Sequence, residues 1–151
     1  MSEFEVATLA GSYREPSFDH ATVADAMRPG VFTCRADTSL TAVARTMAEH
    51  HVHAVVVTDT EFFDRAPDTH VWGVVTDATV LRNGATAVDR TAGGTATRDF
   101  VTAHPGDRLA DVAATMTDRG ASHAVVVDSH GRPVGMLSTL DVAGIIAWGR
   151  A

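Results

Sequence analysis

The most constraining feature of the sequence is an internal duplication. Residues 31–49 align without gaps to residues 100–118 at an offset of 69, and six of the nineteen aligned pairs are identical. The identical pairs are Thr33/Thr102, Leu40/Leu109, Val43/Val112, Ala44/Ala113, Thr46/Thr115 and Met47/Met116. The run His-Ala-Val-Val-Val then follows in both halves, and after it a glycine-led apolar stretch that ends in a hydroxyl residue, at 73–76 and 135–138. Three features repeated in one order predict two copies of one supersecondary unit.

The pattern inside each half predicts the elements of that unit. Apolar residues recur at i, i+3, i+4 and i+7 from Leu40 and again from Leu109, which is typical of an amphipathic helix. Thr38 and Asp107 are the expected N-caps. The continuous valine runs predict strands buried on both faces, and the turn formers at 128–133 predict a hairpin. A second helix is expected at 77–82 and at 139–148, which makes each half a mixed α/β unit.

The two halves differ in two places. The first hairpin, at 58–70, is eight residues longer than its counterpart and contains Phe62 and Phe63. These aromatic side chains are expected either to form a contact patch or to fold back on their own hairpin. Residues 91–95 (TAGGT) stand where the first half has 22–26 (TVADA), so the entry helix of the second half is expected to be weakened by glycine.

Composition excludes several classes of protein. A chain of 151 residues with 45% hydrophobic residues is expected to form one compact unit. The single cysteine, Cys34, rules out an intramolecular disulfide and a cysteine-based zinc site. A net charge of −7 argues against nucleic-acid binding. The sequence has no basic leader followed by an apolar run and no apolar stretch of about 18 residues, so we expect a soluble, cytoplasmic protein without membrane contact.

The pattern as a whole resembles the cystathionine-beta-synthase (CBS) domain, which usually occurs as a tandem pair called a Bateman module. The resemblance spans residues 22–147 and rests on the segment 23–27 (VADAM), the Leu-x-x-Val-Ala-x-x-Met helices, the HAVVV strands and the Gly-led elements. It implies two βαββα repeats, at 21–84 and 96–151, packed through their sheets about a pseudo-twofold axis. Residues 85–95 would be a linker and weak entry segment, and residues 1–20 a tail or arm.

The resemblance also implies a ligand site. Members of the family hold AMP, ATP or related adenosyl ligands in clefts between the repeats, through a Ser/Thr-x-x-Asp pattern that Ser138 and Asp141 match here. The Asp would hold the ribose hydroxyls and the Ser would contact phosphate. The same spacing before an apolar helix is also a capping box, and this alternative stays open.

Other site residues follow from the same resemblance. His123 stands where similar proteins place a basic phosphate ligand, with Ser122 beside it. Met27, Val31, Phe32 and Thr33 would contact the adenine, and Arg28 or Arg35 could add positive charge.

The first repeat carries Thr76 and, where the acid would stand, Thr79. We therefore expect one competent nucleotide site and one degenerate site, which includes Thr76, Thr79 and Thr102.

These observations favour a stand-alone regulatory CBS pair that is not an enzyme. It would bind AMP, ADP, ATP or S-adenosylmethionine at one cleft and signal through a homodimer or an unidentified target protein. A ligand-free dimerisation or protein-interaction module is the alternative. A small metal-binding protein or hydrolase is a remote one, because His50 and His53 lack a completing carboxylate or cysteine and no catalytic motif is present.

Overall fold

The structure is a computed structural model that describes residues 16–59 and 70–149. The first half contains α1 (Val23–Ala26), β1 (Arg28–Pro29), β2 (Thr33–Arg35), α2 (Leu40–His50), β3 (Ala54–Asp59), β4 (His70–Thr76) and α3 (Asp77–Asn83). A 3-10 helix (Gly84–Asp89) leads to α4 (Ala92–Thr95), β5 (Val101–Ala103), α5 (Leu109–Asp118), β6 (His123–Val127), β7 (Pro133–Ser138) and α6 (Thr139–Trp148). We call residues 23–83 repeat 1 and residues 92–148 repeat 2. Phe62, Phe63 and residues 1–15 of the expected tail lie outside the described residues.

The described strands form two sheets, one centred on each repeat. Sheet A has the strand order β1-β7-β6-β5 and sheet B has the order β2-β3-β4. In each repeat a parallel pair is joined through an amphipathic helix, and an antiparallel hairpin follows. The expected βαββα architecture is therefore confirmed, including helix α4, which forms despite its two glycines. No described helix has the length and apolar character needed to cross a bilayer.

The entry segments of the two repeats are exchanged. Strand β1 of repeat 1 pairs with β7 of repeat 2, and Thr97 of repeat 2 pairs reciprocally with Val74 of β4. The entry helices follow, because Val23 of α1 is buried in the core of repeat 2 and Ala92 of α4 in the core of repeat 1. Each core therefore contains side chains from both repeats, and the pair folds as one unit.

The two Gly-led stretches are explained by this exchange. A Cβ at Gly135 would lie 2.8 Å from the carbonyl oxygen of Arg28, and a Cβ at Gly73 would lie 2.8 Å from that of Thr97. In both repeats the glycine sits where the entry segment of the other repeat crosses the sheet. The motif is therefore required by the close approach of two backbones.

The buried apolar side chains form three layers. One layer joins sheet B to its helices, a second joins sheet A to its helices, and a third lies between the two sheets. The layer between the sheets consists of Ala54, Val56, Val74, Val125 and Val127. Packing through the sheets thus holds the repeats face to face, as the resemblance implied.

The two HAVVV runs are identical in sequence but not equivalent in position. Thr33 pairs with Val56 and Thr102 pairs with Val125, so the structural offset remains 69 through these strands. With this offset, His53 of repeat 1 is structurally equivalent to Ser122 of repeat 2, and not to His123. A strand that is apolar on both faces tolerates a one-residue shift, because either set of alternating side chains can be buried.

The expected helix N-caps are wrong by one residue. Ser39 caps α2 by accepting a hydrogen bond from the Ala42 N–H at 3.1 Å, and Arg108 occupies the N-cap of α5 without a side-chain bond. Both helices begin at their first leucine. The carboxylate of Asp107 accepts from the His104 N–H at 2.9 Å instead, and so stabilises the preceding turn.

Candidate functional site

A cleft of about 600 Å³ lies between the two repeats. Repeat 1 contributes residues 28–32, 51–54 and Asp77, and repeat 2 contributes Ser122, His123, Met136 and residues 138–141. Its lining combines the exchanged entry segment, which pairs with β7, with residues at the start of β6 and of α6. Its volume lies in the range of small-molecule sites, about 300–1,000 Å³.

The cleft brings together six of the eight residues that the sequence assigned to the competent site. They are Val31, Phe32, Ser122, His123, Ser138 and Asp141. Met27 and Thr33 do not line it. Met27 packs against Gly135 and the core of repeat 2, while Thr33 is exposed on β2, where it pairs with Val56.

Ser138 and Asp141 form both hydrogen bonds of a capping box at the start of α6. The Ser138 N–H donates to Asp141 Oδ2 at 2.9 Å, and the Asp141 N–H donates to Ser138 Oγ at 3.1 Å. The capping alternative therefore describes the local structure. The capping bond uses only Asp141 Oδ2, and a carboxylate can accept about four hydrogen bonds in all, so Asp141, which lines the cleft, keeps further acceptor capacity.

Arg28 places a guanidinium beside this carboxylate. Its Nε lies 3.5 Å from Asp141 Oδ1, and the Arg28 side chain is 70% exposed whereas that of Asp141 is 10% exposed. The guanidinium is thus accessible to solvent, whereas the carboxylate is held in the capping box. Arg35, the other candidate cation, lies outside the cleft, with its Nε 3.5 Å from Asp37 Oδ1.

His123 is partly buried and lines the cleft. Burial lowers the pKa of His123 and outweighs the opposing effect of the nearby Asp77 and Asp141 carboxylates. Its Nδ1 lies 2.8 Å from Ser122 Oγ, which fixes the ring orientation. The imidazole can therefore donate or accept a hydrogen bond near neutral pH, and it gains charge when the pH falls.

Sequence reasoning missed a polar group that repeat 1 contributes. His53 Nδ1 lies 2.8 Å from Asp77 Oδ2, and this hydrogen bond lowers the pKa of Asp77. Both residues line the cleft near His123. The offset of 69, carried through the HAVVV run, would have pointed to His53 by aligning it with Ser122.

One wall of the cleft is aromatic. The rings of Phe32 and His50 stack with their centroids 4.4 Å apart, which presents the Phe32 ring to the cleft beside Val31, Val52 and Met136. His50 thus packs against Phe32, while His53 pairs with Asp77. In the described part of the chain, no three His, Cys, Asp or Glu side chains converge as metal ligands.

Comparison with known proteins decides the family. The sequence profile of the CBS domain matches residues 23–85 and 93–147 of the chain. The protein belongs to the CBS-domain family. The two matched segments make it a tandem CBS pair. None of the curated proteins compared with this CBS pair is significantly similar to it.

Solved CBS-domain structures share the fold. The CBS domain pair of protein MJ0100, in complex with 5′-methylthioadenosine and S-adenosyl-L-methionine, superposes with a TM-score of 0.72 at 20% identity, covering 84% of this chain and 96% of that one. CBSX2 in complex with AMP gives 0.66 at 21% identity, covering 82% and 93%. The CBS-domain protein ATU1752 from Agrobacterium tumefaciens gives 0.68 at 26% identity, covering 82% and 92%.

Each residue that lines the cleft has an equivalent position in the other half of the CBS pair, and several of these equivalent positions hold a different type of side chain. The strand pairing relates Arg28 to Thr97 and His123 to Ala54. Asp141 corresponds to Thr79, which is buried and accepts a hydrogen bond from Arg82 Nη2 at 3.4 Å. Thr76 caps α3, while Thr102 lines a separate depression with Asp107 and Arg108.

Proposed function

We propose that this CBS pair binds an adenosyl ligand of the AMP, ADP, ATP or S-adenosylmethionine class in the cleft, and acts as a non-catalytic regulatory module. The observation that carries the proposal is the placement of Asp141, a fixed and nearly buried carboxylate, at the mouth of a cleft built by both repeats. The adenosyl complexes of MJ0100 and CBSX2 support the ligand class.

The chemistry of the cleft divides into two parts. The wall of Val31, Phe32 and Met136 offers an apolar and aromatic surface for a purine ring. Asp141 can accept hydrogen bonds from both ribose hydroxyls, and the N-terminus of α6 favours an anionic group near Ser138. Arg28 and His123 would then meet phosphate, since both line the same cleft.

Ligand binding would be coupled to the packing of the repeats. The entry segment 28–32 is covalently part of repeat 1 but pairs with β7 of repeat 2. A ligand that contacts this segment together with Asp141 and His53 would fix the position of one repeat relative to the other. The signal would pass to a second copy of the chain or to a target protein.

We assign the homodimer contact to an apolar groove between α2 and α3. Ala44, Met47, Ala48, Val80 and Leu81 line it, and Leu81 is 82% exposed. Repeat 2 has an equivalent groove between α5 and α6, lined by Ala113, Met116 and Val142. Exposed apolar surface of this kind marks interaction sites, and two similar grooves suit a twofold arrangement.

The test compares Asp141→Ala with Asp25→Ala by isothermal titration calorimetry against AMP, ADP, ATP and S-adenosylmethionine. Asp25 forms the same capping box with Thr22 on α1, where it accepts from the Thr22 N–H at 2.8 Å, but it lies outside the cleft. Both variants lose the N3 carboxylate of a capping box and keep the N-cap residue. Only Asp141→Ala should weaken binding, by at least about tenfold, because it alone removes the ribose acceptor.

Absence of binding by all four probes would overturn the proposal, as would equal affinity of the wild type and Asp141→Ala. Absence of binding together with a stable dimer would instead support the alternative function, a ligand-free dimerisation module. The paired grooves favour that alternative. A thermal-shift screen gives a second readout, because a bound ligand stabilises by RT ln(1 + [L]/Kd).

A further inference from the structure

We propose that His51 is a ligand-contacting residue of the cleft, and that its unusual backbone conformation is retained because it directs the imidazole into the cleft. The inference rests on the proposed function, since it concerns a residue of the same site.

The first observation is the backbone at the end of α2. His51 is the C-cap of this helix and has φ 55° and ψ 45°, in the left-handed region. It is the one non-glycine residue with positive φ among residues 16–59 and 70–149. Histidine occurs in this region more often than most residues, but an L-residue there is strained relative to glycine.

The second observation is the corresponding position in repeat 2. The offset of 69 relates His51 to Gly120, which has φ 61°. The chain therefore makes the same turn twice, once with the unstrained residue and once with histidine. A glycine at 51 would be favoured if the turn alone mattered.

The third observation is the location of the residue. His51 lines the cleft beside Val52 and His53, and Asp141 and Ser138 line the same cleft, whereas Gly120 does not. The strained conformation thus occurs in the repeat where the turn borders the cleft. Strained residues that persist at binding sites are often retained for the geometry that they impose on a side chain.

The test uses three substitutions that separate the backbone from the imidazole, with AMP and S-adenosylmethionine as probes. His51→Gly removes both the strain and the ring, His51→Asn keeps a residue that tolerates the left-handed region, and His51→Ala keeps the strain but removes the ring. We expect His51→Gly to raise the melting temperature by about 2–4 °C and His51→Ala to leave it near the wild-type value. We expect all three to weaken binding of at least one probe by roughly 2- to 10-fold.

The matched control is Gly120→Ala, which adds strain at the equivalent turn outside the cleft with the smallest possible side chain, because Gly120 borders the groove between α5 and α6. It should lower the melting temperature and leave the affinity for both probes unchanged.

If the wild type binds a probe and all three His51 variants bind it equally well, this inference is overturned while the proposed function stands. If His51→Ala binds normally and only His51→Gly is weakened, the backbone and not the imidazole matters, and the inference is again overturned. If the wild type binds neither AMP nor S-adenosylmethionine, nor ADP or ATP, both proposals fail together.

Discussion

Gly135 lies directly against the backbone of Arg28, since a methyl group on its Cα would come within 2.8 Å of the Arg28 carbonyl oxygen. This contact joins strand β7 of repeat 2 to the entry segment of repeat 1. The same strand pairing positions residues 28–32 over the cleft. The glycine therefore supports both the fold and the geometry of the candidate site.

Gly135→Ala is expected to lower the free energy of unfolding by about 1–3 kcal/mol, because the new Cβ must displace backbone atoms. Gly73→Ala should have a similar effect through the Thr97 carbonyl oxygen. Urea denaturation followed by circular dichroism measures both. Gly106→Ala is the control, since a Cβ at Gly106 meets no atom within 4 Å. Equal stability of all three variants would contradict this explanation of the motif.

The CBS pair is expected to bind one adenosyl ligand per chain. Arg28, His123 and Asp141 line the cleft, whereas Thr97, Ala54 and Thr79 stand at the corresponding positions of the other half. The second half therefore lacks the ribose acid, the arginine and the imidazole. Calorimetry at saturation should give a stoichiometry near one, and two sites of similar affinity would exclude the predicted asymmetry.

The stability of the free protein should depend on the protonation of His123. Burial lowers the pKa of His123 in the folded state below its usual value of about 6.5, so the unfolded chain binds more protons than the folded chain just below that pH. The free energy of unfolding should therefore decrease as the pH falls from about 7.5 to 5.5.

His123→Gln should flatten this dependence, as measured by urea unfolding at several pH values. His130→Gln, at an exposed position in the turn between β6 and β7, is the control and should keep the slope. Asp77, whose pKa is lowered by its hydrogen bond to His53, contributes in a different window, because its stabilisation is lost only as the pH falls below about 4. If the free energy of unfolding of His123→Gln depends on pH as it does in the wild type, a group other than His123 is responsible.

Leu81→Asp is expected to convert a homodimer into a monomer, because it places a charge in the apolar groove between α2 and α3. The side chain is largely exposed, so the substitution should leave the fold of the monomer intact. Sedimentation velocity across a range of protein concentrations measures the change. Ser129→Asp, in the exposed turn between β6 and β7, is the control. A wild type that is monomeric at all concentrations would contradict the assignment of this groove.

The register of the HAVVV strands could not be predicted from the sequence. Aligning the two identical runs with each other would make His53 equivalent to His123, but the strand pairing relates His53 to Ser122. All four apolar residues of each run are buried, so neither run distinguishes its two faces by sequence. The register follows from the parallel pairing of β2 with β3 and of β5 with β6.

For a related reason, only part of the candidate site could be predicted from the sequence. Ser138 and Asp141 are separated by three residues at the start of one helix, so their relation is local and can be read from the sequence. His51, His53 and Asp77 belong to repeat 1 and reach the same cleft through the packing of the two sheets. No short motif in the chain encodes that approach.

The sequence by itself determined two βαββα repeats, the apolar faces of their long helices, and the single Ser-x-x-Asp element at residues 138–141. These features depend on residue spacing over one or two helical turns or strands, where local sterics and periodicity act. The tertiary structure decided the exchange of the entry segments, the register of the valine strands and the strained turn at His51 beside the cleft. Each of these depends on contacts between segments far apart in the chain, where the packing of buried surfaces selects among arrangements that the local sequence allows equally.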